Sequence, residues 1–195
     1  MRRLLIALTL GLWLSHAAAQ PAESNRLTIA KAALTQIGVT TMYDPSYVRI
    51  PYPGGDIPRE RGVCADVIVR AFRIAGVDLQ ALIHDDMKKN FVAYPQKWKL
   101  KSPDPNIDHR RVLNLETFFK RTGKALAVTK KPEDYLPGDV VSWRLDNGLP
   151  HIGLVVTEKA RNGRPLVVHN IGAGARLEDV LFDFQLVGHY RYFSP

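Results

Sequence analysis

The residue with the clearest chemical potential is Cys64, because it is the chain's one cysteine and has no disulfide partner within the chain. It lies in the segment Gly62-Val63-Cys64-Ala65-Asp66, where a helical pattern begins. Backbone amides at a helix N-terminus stabilise a thiolate, and a nearby imidazole activates it further. A free cysteine is otherwise most often a small buried hydrophobic residue. In an exported chain an unpaired thiol is exposed to oxidation, so we favour a catalytic nucleophile.

Export is indicated by the amino terminus, which is organised like a secretory signal peptide. Arg2-Arg3 is basic, Leu4–Leu14 is apolar, and Ala17-Ala18-Ala19 offers a cleavage site. We therefore predict a signal peptide over residues 1–19, a periplasmic location, and a single mature domain over residues 20–195. A helix needs about 20 apolar residues to span a bilayer, and this apolar run is shorter. We expect no stable membrane insertion after cleavage.

Two later histidines could serve the thiol as a general base and as the group that orients this base. His151 opens a β-rich run, and His169-Asn170 ends the next one. The turn signal Asn162-Gly163 between the two runs would fold them into a hairpin, with the end of the second run beside His151. Side chains alternate across a strand, so His169 or Asn170 can face His151, but not both. We predict His151 as the base and His169 as the third member, with Asn170 as the alternative.

Five further polar residues are candidates for supporting roles. Asp139 follows Gly138 just before a strand, and we interpret it as structural support for the site or an alternative third member. Asp66 lies in the first turn of the predicted helix, where a carboxylate complements the free amides. Asp108, His109 and Arg110 form an unusually polar segment, which could hold a substrate carboxylate or be a solvated turn. We name Asp66, Asp108, His109 and Arg110 as substrate-binding candidates.

Other classes of site are less well supported. Histidines together with Asp108 or Asp139 could form a zinc site, but there is no His-Glu-x-x-His motif or other short ligand spacing. Phosphate-loop and dinucleotide fingerprints are absent from the sequence. We therefore expect no metal and no cofactor. The net charge of +8 comes from basic residues scattered in short pairs, not gathered into a stripe, so we expect no nucleic-acid partner. The oligomeric state stays open.

The elements that must position these residues change in character along the chain. Helical spacing predicts helices over Asn25–Ile37, Cys64–Ala75, Leu79–Lys89 and Leu115–Arg121. β-rich runs predict strands over Val140–Leu145, Ile152–Thr157, Leu166–Asn170 and Val187–Phe193. A long irregular stretch, Tyr43–Gly62, is a candidate wall of the site. The pattern predicts an α+β domain, with N-terminal helices packed on a C-terminal antiparallel sheet.

The order of these segments resembles the NlpC-like branch of the papain-related cysteine peptidases. The matching segments are Ile29–Gly38, Val63–Arg70, Gly138–Trp143, His151–Val156 and Val167–Asn170. The resemblance implies a papain-like fold and a peptidase or amidase that cuts peptidoglycan stem peptides. It implies Cys64 as nucleophile, His151 as base and His169 as third member. The sequence departs from that pattern at Asp66, where a small polar residue is usual, and in a longer insert between Gly76 and Leu126.

A second resemblance covers most of the mature chain. Gly62-Val63-Cys64, Asn106–Val112, Gly138–Val141 and Gly188–Tyr192 are similar to the YijF-like periplasmic family, a domain of unknown function that we place within the NlpC-like superfamily. Together the observations predict an exported thiol hydrolase that cleaves a cell-wall peptide or other amide through a thioester. The alternatives are a non-catalytic cell-wall binding module, and an acyl or peptide transferase that uses the same cysteine.

Overall fold

The computed structural model describes the backbone of residues 14–194 and the side chains from residue 21 onward. Most of the predicted signal peptide lies outside these residues. Helix α1 (Leu14–Leu34) runs through the predicted cleavage site, and so begins well before the expected Asn25. Within the described part of the chain, no helix combines the length and the apolar character needed to cross a membrane.

Helices form the first layer of the domain. After α1 come α2 (Cys64–Ile74), α3 (Leu79–Asn90) and α4 (Val112–Arg121). The apolar face predicted for α2 is buried against α1 and the sheet, with Val67, Ile68 and Phe72 completely enclosed. Gly76 follows α2 with a φ of 77°, which ends the helix in the way that its sequence predicted.

An antiparallel sheet forms the second layer. Its strands are β3 (Val140–Arg144), β4 (Pro150–Lys159), β5 (Pro165–His169), β6 (Arg176–Glu178) and β7 (Gln185–Tyr190), preceded in the chain by the short strands β1 (Met42–Tyr43) and β2 (Arg61–Gly62). The spatial order is β6-β5-β4-β3-β7. Strands β3 to β5 therefore each pair with the next strand in the chain, and β7 returns to pair with the free edge of β3. This arrangement confirms the predicted α+β class.

Two short pairings were not predicted. β1 and β2 pair in parallel and close the long stretch between α1 and α2 that was expected to be irregular. β6 pairs with β5, although its sequence Arg-Leu-Glu contains no β-branched or aromatic residue. Both are stabilised by their neighbours in the fold, which a local pattern does not show.

The sheet separates two hydrophobic clusters. On β4, Ile152 and Leu154 face the helices, whereas Val155 packs with Trp143 of β3 on the other face. Alternation along β4 therefore assigns the side chain of His151 to the face away from the helices.

Candidate active site

Cys64 is the first residue of α2, and contacts before and after it fix its position. The carboxylate of Asp66 accepts a hydrogen bond from the backbone N–H of Val63, the N-cap residue, at 2.6 Å. The side-chain amide of Asn170 donates to the carbonyl of Gly62 at 2.9 Å. These contacts hold the chain as it enters the helix, so the sulfur stays at the helix N-terminus.

The sulfur of Cys64 is nearly enclosed. The residue is 4% exposed and belongs to the main hydrophobic cluster. The backbone N–H of Ile152 is the main group near Sγ that favours the thiolate. The β4–β5 ladder begins only at the pair Leu154–Val168, so this N–H lies in the part of β4 that β5 does not cover. Burial raises the pKa of the thiol to about 12, and the neutral thiol is therefore the resting form.

A cavity of about 390 Å³ opens beside Cys64. Its walls include Tyr43, Trp98, Arg111 and Pro150, and none of the described residues that line it is acidic. Pro150 directly precedes the predicted base. The cavity thus gives a substrate a route to the sulfur from the end of the sheet where β4 begins.

His151 and His169 meet on the face of the sheet away from the helices. Nε2 of His151 lies 2.8 Å from Nδ1 of His169, as the predicted hairpin and alternation require. Burial lowers the pKa of His151 to about 3, and the proximity of His169 adds to this effect. Burial also lowers the pKa of His169. Both rings are therefore neutral near pH 7.

A carboxylate missed in the sequence extends this pair. Oε2 of Glu178, at the end of β6, lies 2.7 Å from Nε2 of His169, although off the axis of a linear hydrogen bond. Because a carboxylate accepts, its proximity favours the tautomer in which Nε2 of His169 carries the hydrogen and Nδ1 of His169 accepts from Nε2 of His151. His151 then keeps an unprotonated Nδ1, which makes no hydrogen bond to any described residue. This is the tautomer that can take a proton from a thiol.

Trp143 holds the His151 ring in place. The two rings stack with centroids 5.6 Å apart and an interplanar angle of 24°, and the indole N–H donates to the carbonyl of Leu181. Gly153 makes this packing feasible, because a Cβ there would lie 2.6 Å from Cγ1 of Val167 and 3.1 Å from the indole. The side chains of Val167 and Trp143 thus fill the space beside Gly153.

Asn170, the alternative third member, does not face the ring of His151. It lies on the opposite face from His169, and its amide is engaged by Gly62, so that it does not bond to His151. Its contact with the residues that precede Cys64 makes it a support for the thiol instead.

Asp139, the other alternative third member, lies away from the histidine pair. Its carboxylate accepts hydrogen bonds from Arg191 and from Nε2 of His189, at the start of β3. The strand pairing places Trp143 opposite His151, four residues along from Asp139, or about 13 Å at the usual rise per residue. Asp139 therefore fastens β7 to β3 and does not touch the histidine pair.

Asp66 and Arg110 form a buried ion pair instead of a surface for substrate. Nε and Nη2 of Arg110 donate to the two carboxylate oxygens at 2.9 and 3.0 Å, and the side chains are 2% and 4% exposed. Other N–H groups of Arg110 donate to the carbonyls of Ser46 and Asp44. The pair joins α2 to the loop over the cavity and leaves Arg110 little capacity to bind a ligand.

Asp108 and His109 do not line the cavity. Asp108 accepts hydrogen bonds from the backbone of Asp104 and from Arg111, and burial raises its pKa to about 6. His109 is 3% exposed, and burial lowers its pKa to about 4. Among the residues described, no three His, Cys, Asp or Glu side chains are grouped as metal ligands would be.

Comparison with known proteins identifies the family. Residues 30–192 match the model of the Domain of unknown function (DUF1287). The chain is 64% identical over 170 residues to the "Uncharacterized protein YijF" of Escherichia coli (strain K12), which covers 87% of this chain and 83% of that protein. The chain belongs to the DUF1287 family. The resemblance to YijF-like proteins seen in the sequence is thereby confirmed.

Two solved structures are similar to this DUF1287 chain. They are NlpC1 and NlpC2 from Trichomonas vaginalis, each 13% identical to it, with TM-scores of 0.49 and 0.46. The matches cover 89% and 86% of this chain, which spans slightly less than half of each NlpC chain (46% and 47%).

The residues brought together here all lie inside the DUF1287 match. Cys64, His151, His169 and Glu178 fall within residues 30–192, as do the aromatic and cationic walls of the cavity. The candidate site is thus a feature of the domain itself and not of the segment before it.

Proposed function

We propose that this DUF1287 protein is an exported thiol hydrolase that cleaves a peptide or amide bond in peptidoglycan stem peptides. One juxtaposition carries the proposal. The sulfur of Cys64, at a helix N-terminus and on a cavity, contacts the backbone of Ile152, directly after His151, whose ring is oriented by His169 and Glu178. A nucleophile, a base and an orienting group are the parts that thiol catalysis needs.

The proposed reaction requires the ring of His151, which lies on the face of the sheet away from the helices, to reach the sulfur past the start of β4. Nδ1 of His151 then takes the proton of Cys64 as Sγ attacks the carbonyl carbon. Because burial keeps both groups neutral at rest, proton transfer accompanies the attack. The backbone amide of Cys64 and the hydroxyl of Tyr43 stabilise the oxyanion. Tyr43 is preferred because it lines the cavity and is not hydrogen-bonded through its side chain within residues 21–194, whereas Tyr47 is bonded to Asp104. Protonated His151 then protonates the leaving amine, and water hydrolyses the thioester.

The proposal is tested with purified peptidoglycan and mass spectrometry of the released fragments. Wild-type protein is expected to release peptides with one water added across an amide bond, and Cys64→Ala to release none while keeping its circular dichroism spectrum. Ser102→Ala, a change of similar size in an exposed loop, is the control and should behave as wild type. Turnover that persists in Cys64→Ala excludes this mechanism.

Glu178 provides a test of the histidine tautomer. Glu178→Gln can donate to Nε2 of His169 as well as accept from it, so the proton positions are no longer fixed. We expect kcat to fall by up to about 100-fold, an unchanged KM, and a displaced pH–rate profile. Glu158→Gln, at an exposed position of β4, is the matched control. A loss confined to KM, or an unmoved pH–rate profile, argues against a positioning role for Glu178.

The second candidate function is a non-catalytic wall-binding module, and the enclosure of the thiol favours it. Cys64 is 4% exposed, and no hydrogen bond joins its sulfur to a ring nitrogen of any described histidine. This candidate predicts tight binding of wall fragments that is indifferent to Cys64→Ser, no turnover, and no labelling of native protein by iodoacetamide. Labelling that the bound fragment blocks would count against it.

A further inference from the structure

Arg111 is held rigidly at the cavity next to Cys64. The carbon at the centre of its guanidinium lies 4.1 Å from the centroid of the Trp98 ring, and Nη1 donates to Asp108 at 3.0 Å. The side chain is 16% exposed. Stacking and one hydrogen bond fix the plane of the guanidinium before any ligand binds, which reduces the entropy lost on binding.

Most of the donors of Arg111 have no acceptor among the residues that the structure describes. A guanidinium carries five N–H groups, and described residues accept from Nη1 alone. Within residues 21–194, Nε and Nη2 of Arg111 are not among the buried nitrogens that lack a hydrogen-bond partner. These two nitrogens are therefore exposed enough for a ligand to reach them. Burial lowers the pKa of Arg111 in spite of Asp108, which means that the cation is partly desolvated and incompletely compensated.

The neighbouring Arg110 makes the contrast clear. It lines the same cavity, but its donors are occupied by Asp66 and by backbone carbonyls. Since no described residue of the lining is acidic, the cavity presents one available cation beside aromatic and apolar walls.

We propose that Arg111 is a specificity-determining residue that binds a carboxylate of the substrate, so that the protein selects amides carrying a negative charge near the bond to be cleaved. The planar fork of a guanidinium matches the two oxygens of a carboxylate. This inference rests on the proposed function, because it takes the cavity beside Cys64 as the substrate site.

The test measures binding separately from turnover, by calorimetry on full-length Cys64→Ala. The probe is a synthetic peptidoglycan stem peptide in three forms: free acid, C-terminal amide, and fully amidated. We expect the fully amidated peptide to bind about 10- to 100-fold more weakly than the free acid, as the loss of a charge-assisted contact implies. The C-terminal amide will match the fully amidated form if Arg111 binds the terminal carboxylate, and the free acid if it binds a side-chain carboxylate.

Variants made in the same background assign the difference to one residue. Arg111→Gln should abolish the preference for the free acid, and Arg111→Lys should retain only part of it, since an ammonium keeps the charge without the fork. Arg121→Gln, which removes an arginine paired with Asp86 outside the cavity, should keep the full preference. Arg111→Lys also keeps the test decisive if Arg111→Gln folds poorly.

Some results would overturn the inference and others only the proposed hydrolysis. Three results would refute the carboxylate receptor, meaning Arg111 as the group that binds a substrate carboxylate. They are equal binding of the free acid and the fully amidated peptide to Cys64→Ala, no binding of either peptide, and a preference for the free acid that survives in Arg111→Gln. Binding with an Arg111-dependent preference but without turnover by wild type refutes the hydrolase and leaves the receptor. Equal cleavage of acidic and amidated peptides refutes the receptor and leaves the hydrolase.

Discussion

Replacing Asp66 with Asn separates a structural role of the Asp66–Arg110 pair from a role in substrate binding. Asparagine keeps the size of the side chain and an oxygen that can still accept from the N-cap amide of Val63. It removes the negative charge, which leaves the guanidinium of Arg110, 2% exposed, buried without a counter-ion. The perturbation therefore isolates the ion pair from the cap.

The expected loss of stability is about 3–5 kcal/mol, the usual cost of removing one partner from a buried pair. The lower half of that range is favoured, because Arg110 keeps its hydrogen bonds to the carbonyls of Asp44 and Ser46. A domain of this size has about 5–15 kcal/mol in total. Asp66→Asn should therefore still fold, with a markedly lower urea midpoint.

Urea denaturation followed by tryptophan fluorescence and circular dichroism measures this loss. Asp179→Asn is the matched control, because Asp179 pairs with Arg164 at 2.7 Å but both side chains are 31% exposed; its midpoint should hardly move. Asp66→Asn combined with Arg110→Gln should recover part of the loss, since the double variant has no unpaired buried charge. If Asp66→Asn keeps the wild-type midpoint and instead weakens binding of stem peptides, the pair is a substrate site and the structural reasoning is refuted.

Three further outcomes can be measured by the same denaturation assay. Gly153→Ala should cost about 1–3 kcal/mol, because its methyl group overlaps Val167 in a packed cluster; an unchanged midpoint would mean that the cluster has spare room. Asn170→Ala should cost about 0.5–1.5 kcal/mol, because the buried carbonyl of Gly62 loses one of its two donors and keeps the backbone N–H of Asp44, and a loss under 0.5 kcal/mol, roughly the size of a surface change, speaks against that contact. The folded pKa of His151 (about 3) lies below its unfolded value of 6.5, so the unfolded chain binds the extra proton. The advantage of wild type over His151→Asn should therefore shrink by up to about 1.4 kcal/mol per unit as the pH falls from 6.5 toward 3, and a pH-independent difference would contradict the burial of a neutral ring.

The parts of the site that are specified by local pattern were predictable. The helical spacing that follows Cys64 placed the thiol at a helix start. The turn between the runs that carry His151 and His169, combined with two-residue alternation, brought those rings to the same face. In each case the signal and the structure it specifies lie within about 20 residues of each other.

The parts that depend on distant partners were not predictable. Asp66 binds Arg110, which is 44 positions away in the sequence, and Asp139 binds Arg191, which is 52 positions away. The local sequence around a polar residue near a turn or a helix start is therefore the same whether that residue binds substrate or stabilises the fold. Glu178 was missed for a related reason. It belongs to a three-residue strand that exists because β5 offers an edge to pair with.

The proposed nucleophile and the proposed base are carried by different layers of the molecule. Cys64 moves with the helices through the main cluster, while His151 moves with the sheet through its stack on Trp143, and the proposed reaction requires their reactive atoms to meet across the border between the two layers. Displacements near 1 Å already cost much of the advantage of prearranged reactants. A small displacement of one layer relative to the other, under gentle heating or in dilute urea, would therefore abolish the proposed activity while the helices and strands remain folded. Loss of catalysis would thus be an early indicator of loosening between the layers, ahead of any spectroscopic sign of unfolding.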